Sequence, residues 1–169
     1  MGDALYCADT SGLVWLQRNF DQTVFSDVWA AIEDLIKGNR LFAPSQVQTE
    51  IERGSDSLAT WCRRYAHIFR EPTDDVANVV GELGTRYPGF VKTLEVDEEA
   101  DPWVVAWAKY ENDRLRGELF GGECVVISSE GSRVNHIAQV CQAEGIICVP
   151  LQDVFAREEW KFVRRAEEE

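Results

Sequence analysis

The fold is indicated first by the stretch ALYCADTSG at residues 4–12. Its first five residues form a short, mainly apolar run, which is typical of a buried β-strand, and the polar residues and glycine after it predict a turn. Apolar residues then recur at Leu13, Val14 and Leu16, where we expect a helix to begin. A buried strand followed closely by a helix is typical of α/β proteins with a parallel sheet.

The rest of the chain repeats this alternation of short apolar runs and helical patterns. We predict strands at residues 4–8, 40–43, 90–94, 124–127 and 146–149, and helices at residues 26–37, 45–53, 56–69, 72–83, 135–144 and 151–160, with a further helix from residue 101. Ser26 and Asp101 are the expected N-caps of their helices. The pattern predicts a three-layer α/β/α fold around a central, mainly parallel sheet of about four to five strands. Residues 1–163 are expected to form one domain, followed by a frayed tail at residues 164–169.

Composition limits the class of protein and its compartment. Of the 169 residues, 45% are hydrophobic and 28% are charged, as in ordinary globular proteins. We expect neither a signal peptide nor a transmembrane helix, because no basic start precedes an apolar segment and no apolar run reaches a bilayer's width. The five cysteines form no CxxC pair, and their odd number fits buried thiols in a reducing cytoplasm better than disulfides.

The net charge of −13 disfavours a protein that binds nucleic acid tightly and without specificity, because phosphates would be repelled. An acidic site that binds cations, or a basic protein partner, still fits this charge. The six tryptophans are expected to fill the core or an interface rather than to stack on bases.

Four carboxylates follow or begin predicted elements at one edge of the sheet. Asp9 follows the first strand, Glu130 follows the strand at residues 124–127, and Glu50 and Asp101 lie in helices that start at that edge. Since the carboxyl ends of parallel strands form the ligand crevice of open sheets, these acids could converge. Each also fits an ordinary role: a helix cap for Asp101, a solvated helix position for Glu50, and surface turns for Asp9 and Glu130.

Converging carboxylates repel one another unless a cation lies between them. Mg²⁺ and Mn²⁺ prefer oxygen ligands, and a water bound to such an ion can attack a phosphodiester. The four acids therefore predict a divalent-metal site for hydrolysis of a phosphate ester.

The order of these acids resembles the PIN-domain family over almost the whole chain. The stretches that are similar to the family's motifs are DTS at residues 9–11, PSQVQTEI at 44–51, ADPWVVAWA at 100–108 and VVIS at 125–128. RGSDSLATW at residues 53–61 and VCQAEGI at 140–146 look more narrowly like a bacterial PIN-like subgroup of unknown function, often found beside an Xre-type regulator.

The resemblance implies a Mg²⁺- or Mn²⁺-dependent endoribonuclease, commonly a VapC-like toxin of a type II toxin–antitoxin pair. Asp9, Glu50 and Asp101 match the family's acidic positions, and Glu130 is the nearest acid to the fourth. Ser11 and Ser128 would orient carboxylates or the bound water. The implied partners are RNA, with transfer RNA a common target, a cognate antitoxin of the Xre type, and a second copy of the chain, since PIN toxins often dimerise.

Two other classes of protein are alternatives to the nuclease. A haloacid-dehalogenase-like phosphatase also uses an aspartate after its first strand, but it places a second aspartate where this chain has Ser11. A catalytically inactive PIN-like binding module, regulated by a protein partner, fits the acidic charge and the imperfect fourth acid.

Overall fold

The structure is a computed structural model, and it describes residues 3–54, 56–92, 99–119, 121–129 and 136–163. Within these ranges, no helix is long and apolar enough to cross a lipid bilayer. The expected tail at residues 164–169 lies outside the described residues.

A five-stranded sheet forms the centre of the fold. Its strands are β1 (Leu5–Ala8), β2 (Leu41–Pro44), β3 (Phe69–Arg70), β4 (Cys124–Ile127) and β5 (Cys148–Val149). They lie in the order β3-β2-β1-β4-β5, and every pair is parallel. All residues of β2 and β4 are buried, which explains why these strands are continuously apolar instead of alternating with polar residues.

Helices cover both faces of the sheet. The α-helices are α1 (Thr10–Asn19), α2 (Ser26–Lys37), α3 (Ser45–Glu52), α4 (Ser57–Arg64), α5 (Asp74–Arg86), α6 (Asp101–Arg116), α7 (His136–Glu144) and α8 (Leu151–Arg157). α6 contacts the three central strands, and α5 and α7 pack against α6. α2 and α3 contact β2, while α1 packs on α3, α4 and α8. The predicted α/β class with a parallel central sheet is therefore confirmed.

The third strand was predicted in the wrong place. Residues 90–92 form a turn and irregular chain, and residues 93–94 lie outside the described residues. The third strand is Phe69–Arg70 instead, which follows a short 3₁₀ turn at Ala66–Ile68 in a stretch predicted to be helical. Phe69 fits the spacing of the helix predicted at residues 56–69 as well as it fits an edge strand, so periodicity could not separate the two.

Several helix boundaries also differ from the prediction. α1 begins at Thr10, earlier than expected, because Asp9 caps it. Ser26 and Asp101 are the first residues of their helices, and neither is the cap. The last strand and last helix are shorter than predicted at residues 146–149 and 151–160.

Two ionic clusters link distant elements. We call the first the Glu144 cluster. Glu144, at the end of α7, accepts hydrogen bonds from three residues. Arg86 is the last residue of α5, Tyr87 is the C-cap of that helix, and Lys109 lies in α6. Burial would raise the pKa of Glu144, but these three donors outweigh it and lower that pKa to about 2.

In the second cluster, Arg40 donates two hydrogen bonds to Glu158, at 2.6 and 2.8 Å, and Tyr6 donates a third at 2.5 Å. These bonds join β1 and the start of β2 to the end of α8.

The strand order defines where a ligand crevice should lie. The chain moves outward from β1 through β2 to β3, and then returns to the other side of β1 as β4 and β5. Connections leave β1 and β4 in opposite directions, so a crevice opens outside their carboxyl ends. Asp9 and Ser128 are the residues that follow these two strands.

Candidate active site

Asp9 lies at the topological switch point of the sheet, the place between the ends of β1 and β4 where the crevice opens, and both its backbone and its side chain are held there. Its N–H donates to the carbonyl of Ile127 at 2.9 Å, which extends the β1–β4 pairing by one residue. Its Oδ2 accepts a hydrogen bond from the N–H of Ser11 at 3.4 Å, so Asp9 is also the N-cap of α1. The residue is only 1% exposed. Asp9 therefore both caps the turn into α1 and carries a buried carboxylate.

Gly12 allows α1 to start directly against β4. A Cβ atom at this position would lie 2.9 Å from Ile127 Cγ2 and 3.1 Å from the Ile127 carbonyl oxygen, which is closer than packed side chains normally approach. The absence of a side chain therefore lets the first turn of α1 reach the end of β4.

Two serines hold the Asp9 carboxylate. Ser11 Oγ donates to Asp9 Oδ2 at 2.6 Å, and Ser128 Oγ donates to the same oxygen at 3.3 Å. The two hydroxyl oxygens are 3.2 Å apart, and Ser11 Oγ accepts from the N–H of Ser129 at 2.9 Å. Both serines predicted to orient a carboxylate thus contact the same one.

The charge on Asp9 is unfavourable in this environment. Burial raises the pKa of the Asp9 carboxyl and the nearby charge of Glu50 raises it further, although hydrogen bonds from Ser11 and Thr10 act in the opposite direction. Within the described residues, no lysine, arginine or histidine forms an ion pair with Asp9. A buried carboxylate whose bonds come from neutral donors is a favourable place for a cation.

Glu50 joins three elements at the same edge. It extends from α3, where its Oε2 accepts a hydrogen bond from the Thr10 hydroxyl at the start of α1. Its Oε1 accepts from the N–H of Ala100 at 3.1 Å, immediately before α6. Glu50 therefore acts as a remote cap for α6 and brings Asp101, the first residue of that helix, to the crevice.

Three of the four predicted acids line one open pocket of about 360 Å³. Its lining residues are Asp9, Thr10, Ser11, Val14, Glu50, Gly89, Phe90, Lys92, Glu99 and Asp101. Lys92 Nζ lies 2.8 Å from Glu99, and the hydrogen bond and charge of Glu99, followed by the charge of Asp101, raise the pKa of Lys92. We call this cavity the acidic pocket.

The acids share the pocket without meeting at one point. Among the described residues, no three acidic, histidine or cysteine side chains stand close enough together to hold a metal ion. The fourth predicted acid, Glu130, lies outside the described residues.

The sequence did not point to the other polar members of the pocket. Thr10 is one residue past Asp9, and only the observed turn reveals that its hydroxyl bonds to Glu50. Lys92 falls in the strand predicted at residues 90–94 and Glu99 in an acidic stretch just before Asp101, and no spacing brings their side chains together.

The fold and site define an α/β protein with one parallel sheet and an acidic pocket at its switch point. Residues 6–162 match the model of the family described as Domain of unknown function (DUF4411), and the chain belongs to that family. No curated protein and no solved structure matches the chain. The family description states no activity.

Proposed function

We propose that this protein is a divalent-metal-dependent endoribonuclease of the PIN-like class, and that the acidic pocket is its active site. The observation that supports this best is the pocket itself: Asp9, Glu50 and Asp101, predicted from three separate segments of sequence, line one cavity at the switch point. Acids that come from distant segments and line one pocket repel one another, and a cation bound between them relieves that repulsion.

The donor set fits Mg²⁺ or Mn²⁺. All three acids offer carboxylate oxygens, which these ions prefer, and the pocket contains neither histidine nor cysteine among its described lining residues. Mg²⁺ binds through only one or two carboxylates and keeps several waters, so Asp9, Glu50 and Asp101 would hold the ion partly through those waters, with Glu130 as the proposed fourth acid. When bound, such an ion supplies an activated water and stabilises charge that develops on the phosphate.

The chain's own residues prepare the pocket for that chemistry. Ser11 and Ser128 fix the orientation of the Asp9 carboxylate through the two bonds to Oδ2. Thr10 holds Glu50 toward the pocket. Lys92 is exposed and is the one cation among the described lining residues, and an RNA phosphate would compete with Glu99 for it.

The first test is cleavage of single-stranded RNA by the purified protein with Mg²⁺ or Mn²⁺, and with a chelator. We expect metal-dependent cleavage that Asp9→Asn abolishes. Asp21→Asn is the matched control, because Asp21 is an exposed aspartate in the loop after α1 and its carboxylate accepts hydrogen bonds from nearby Thr23. Equal rates of cleavage by the wild type and Asp9→Asn would show that cleavage does not require the Asp9 carboxylate.

A biological role as the toxin of a type II toxin–antitoxin pair, acting in the cytoplasm, follows from the same proposal. The expected partners are RNA, with transfer RNA as a candidate target, an Xre-type antitoxin and a second copy of the chain. Induced expression should arrest growth, and co-expression of a cognate Xre-type antitoxin should relieve the arrest. Growth arrest by Asp9→Asn as strong as that by the wild type would contradict a toxic nuclease activity.

One observation favours the alternative, an inactive PIN-like module controlled by a protein partner. Both oxygens of Glu50 accept hydrogen bonds that join α1 and α6 to α3, which is a structural role that needs no metal. Calorimetric titration with Mn²⁺ separates the two proposals. Heat of binding that Asp9→Asn removes supports the nuclease, whereas no binding to the wild type supports the inactive module.

A further inference from the structure

A second cavity lies next to the acidic pocket, at the carboxyl ends of β4 and β5. Its volume is about 320 Å³, near the lower end of the range for small-ligand sites. The residues that line it are Trp15, Ser128, Ser129, Ala138, Cys148, Val149, Pro150 and Gln152. We call it the Trp15 cavity.

The two cavities are separated by a thin wall of serines. Ser128 lines the Trp15 cavity and Ser11 lines the acidic pocket, and their hydroxyl oxygens are 3.2 Å apart. The N–H of Ser129, on the Trp15 side, donates to Ser11 Oγ at 2.9 Å. A ligand in the Trp15 cavity would therefore lie beside the Asp9 carboxylate, one hydrogen bond away.

Trp15 is more exposed to solvent than four of the other five tryptophans. Trp29, Trp61, Trp103 and Trp107 are 4–6% exposed and belong to the core. Trp15 lies one helical turn after Ser11, is half-buried, and packs against Phe20 with 5.8 Å between the ring centroids. The contact with Phe20 supports the indole, while the exposed part of the ring remains available to a ligand.

The Trp15 cavity also differs from the acidic pocket in charge. No carboxylate, ammonium or guanidinium group lines it among the described residues, whereas three predicted acids line its neighbour. With a net charge of −13, the protein gains little from contacts with RNA phosphates. Stacking of a base on an aromatic ring has no such electrostatic penalty, and each stacked base strengthens binding to single strands.

We propose that the Trp15 cavity is a nucleobase subsite, which binds one unpaired base of single-stranded RNA adjacent to the nucleotide whose phosphate enters the acidic pocket. This inference rests on the proposed nuclease function and deepens it. The indole of Trp15 supplies the stacking surface. The Ser129 hydroxyl and the exposed Gln152 amide supply groups that can both donate to and accept from a base edge.

The test uses the full chain labelled with 5-fluorotryptophan, in a chelating buffer without metal, so that binding is observed without cleavage. Fluorine NMR gives one resonance for each tryptophan, and Trp15→Phe identifies the one from Trp15. Addition of a short single-stranded oligoribonucleotide should shift this resonance and leave those of the four core tryptophans unchanged. An unchanged Trp15 resonance at saturating oligonucleotide would overturn the subsite.

Fluorescence anisotropy with the same oligonucleotide measures the energetic contribution. We expect Trp15→Ala to weaken binding by about 5-fold or more and Trp15→Phe to restore most of the affinity, since a smaller ring still stacks. Trp160→Ala is the matched control, because Trp160 is a half-buried tryptophan beyond the far end of α8. Equal affinity for the wild type and Trp15→Ala would contradict the proposal.

An oligonucleotide with one abasic position should bind the wild type more weakly by a similar factor. Its affinity for Trp15→Ala should equal that of the intact oligonucleotide for the same variant. The salt dependence should also be shallow, with a slope above about −1.5 in log K against log salt, because few phosphates are neutralised.

These outcomes are independent of cleavage. Cleavage by a protein whose Trp15 does not respond to RNA would refute the subsite alone. A response of Trp15 without metal-dependent cleavage would refute the nuclease and leave a binding site for RNA bases.

Discussion

Replacement of Asp9 by asparagine should make the metal-free protein more stable while it abolishes the proposed activity. Asp9 is 1% exposed, and burial together with the charge of Glu50 raises the pKa of its carboxyl. The ionised side chain is therefore less stable in the folded protein than in the unfolded chain at neutral pH. Asparagine has nearly the same shape and keeps an acceptor for Ser11, but it has no charge.

The size of the effect follows from two opposing contributions. Removal of a carboxylate from water costs several kcal/mol, and hydrogen bonds to the charged group offset part of this. Only the bond from Ser11 Oγ, at 2.6 Å, is short, while those from Ser128 Oγ and the Ser11 N–H are 3.3 and 3.4 Å and therefore weak. We expect Asp9→Asn to stabilise the metal-free protein by about 1–2 kcal/mol, which for a domain of this size raises Tm by about 2–8 °C.

The assay is thermal unfolding of both proteins with a chelator and with Mn²⁺. At about 100 times the Kd, the metal should stabilise the wild type by about 2.7 kcal/mol, or about 5–11 °C, and should not affect Asp9→Asn. The raised pKa means that the wild type regains its stability as the pH falls through that pKa, so the metal-free difference should shrink in acid. A lower Tm for metal-free Asp9→Asn, or an equal response of both proteins to Mn²⁺, would refute this reasoning.

Three further substitutions test how the fold supports the site. Glu144→Gln should destabilise the protein by about 1–2 kcal/mol near neutral pH, since the exposed Arg86 can rehydrate while Lys109 is half-buried. The pKa of Glu144 in the folded protein is about 2. Its contribution to stability is therefore present above the ordinary carboxyl pKa and is lost as the pH falls toward 2. The free energies of chemical unfolding of the variant and the wild type should accordingly converge in acid. Arg40→Ala should cost about 2–3 kcal/mol in the same assay, because it leaves Glu158 partly buried without its cation, and a loss below half of this would contradict the role of the pair. Gly12→Val should cost about 2 kcal/mol or more and reduce cleavage, because its side chain would clash with Ile127, and unchanged melting and activity would show that α1 has room to move.

The sequence allowed prediction of the architecture and of the acids that line the pocket. The short apolar runs before Asp9 and Ser128 fixed the two strands, and the rule that parallel strands open at their carboxyl ends brought these residues together. The Pro-containing start of α6 placed Asp101 at the same edge, although its cap was assigned one residue too late.

Other features depended on contacts that no spacing encodes. β3 is a two-residue edge strand that exists because Phe69 pairs with Ala43, and Phe69 fits the spacing of a helix equally well. The bond between Thr10 and Glu50 spans 40 residues, so only the folded chain reveals it. Trp15 lines the cavity beside β5, whereas the composition favoured a core or interface position for the tryptophans and did not separate one from another.

The central claim is that Asp9, Glu50 and Asp101 act together on a metal-bound RNA phosphate. The most direct test is the single-turnover rate of RNA cleavage, at fixed Mn²⁺, for the wild type and the three variants Asp9→Asn, Glu50→Gln and Asp101→Asn. Glu99→Gln is the control, because Glu99 lines the same pocket but pairs with Lys92 and is not a proposed ligand. We predict that each of the three variants loses about 100-fold or more, equivalent to ~2.7 kcal/mol of transition-state stabilisation, while Glu99→Gln stays within about 3-fold of the wild type. Wild-type rates in any of the three, or an equal loss in Glu99→Gln, would contradict the claim.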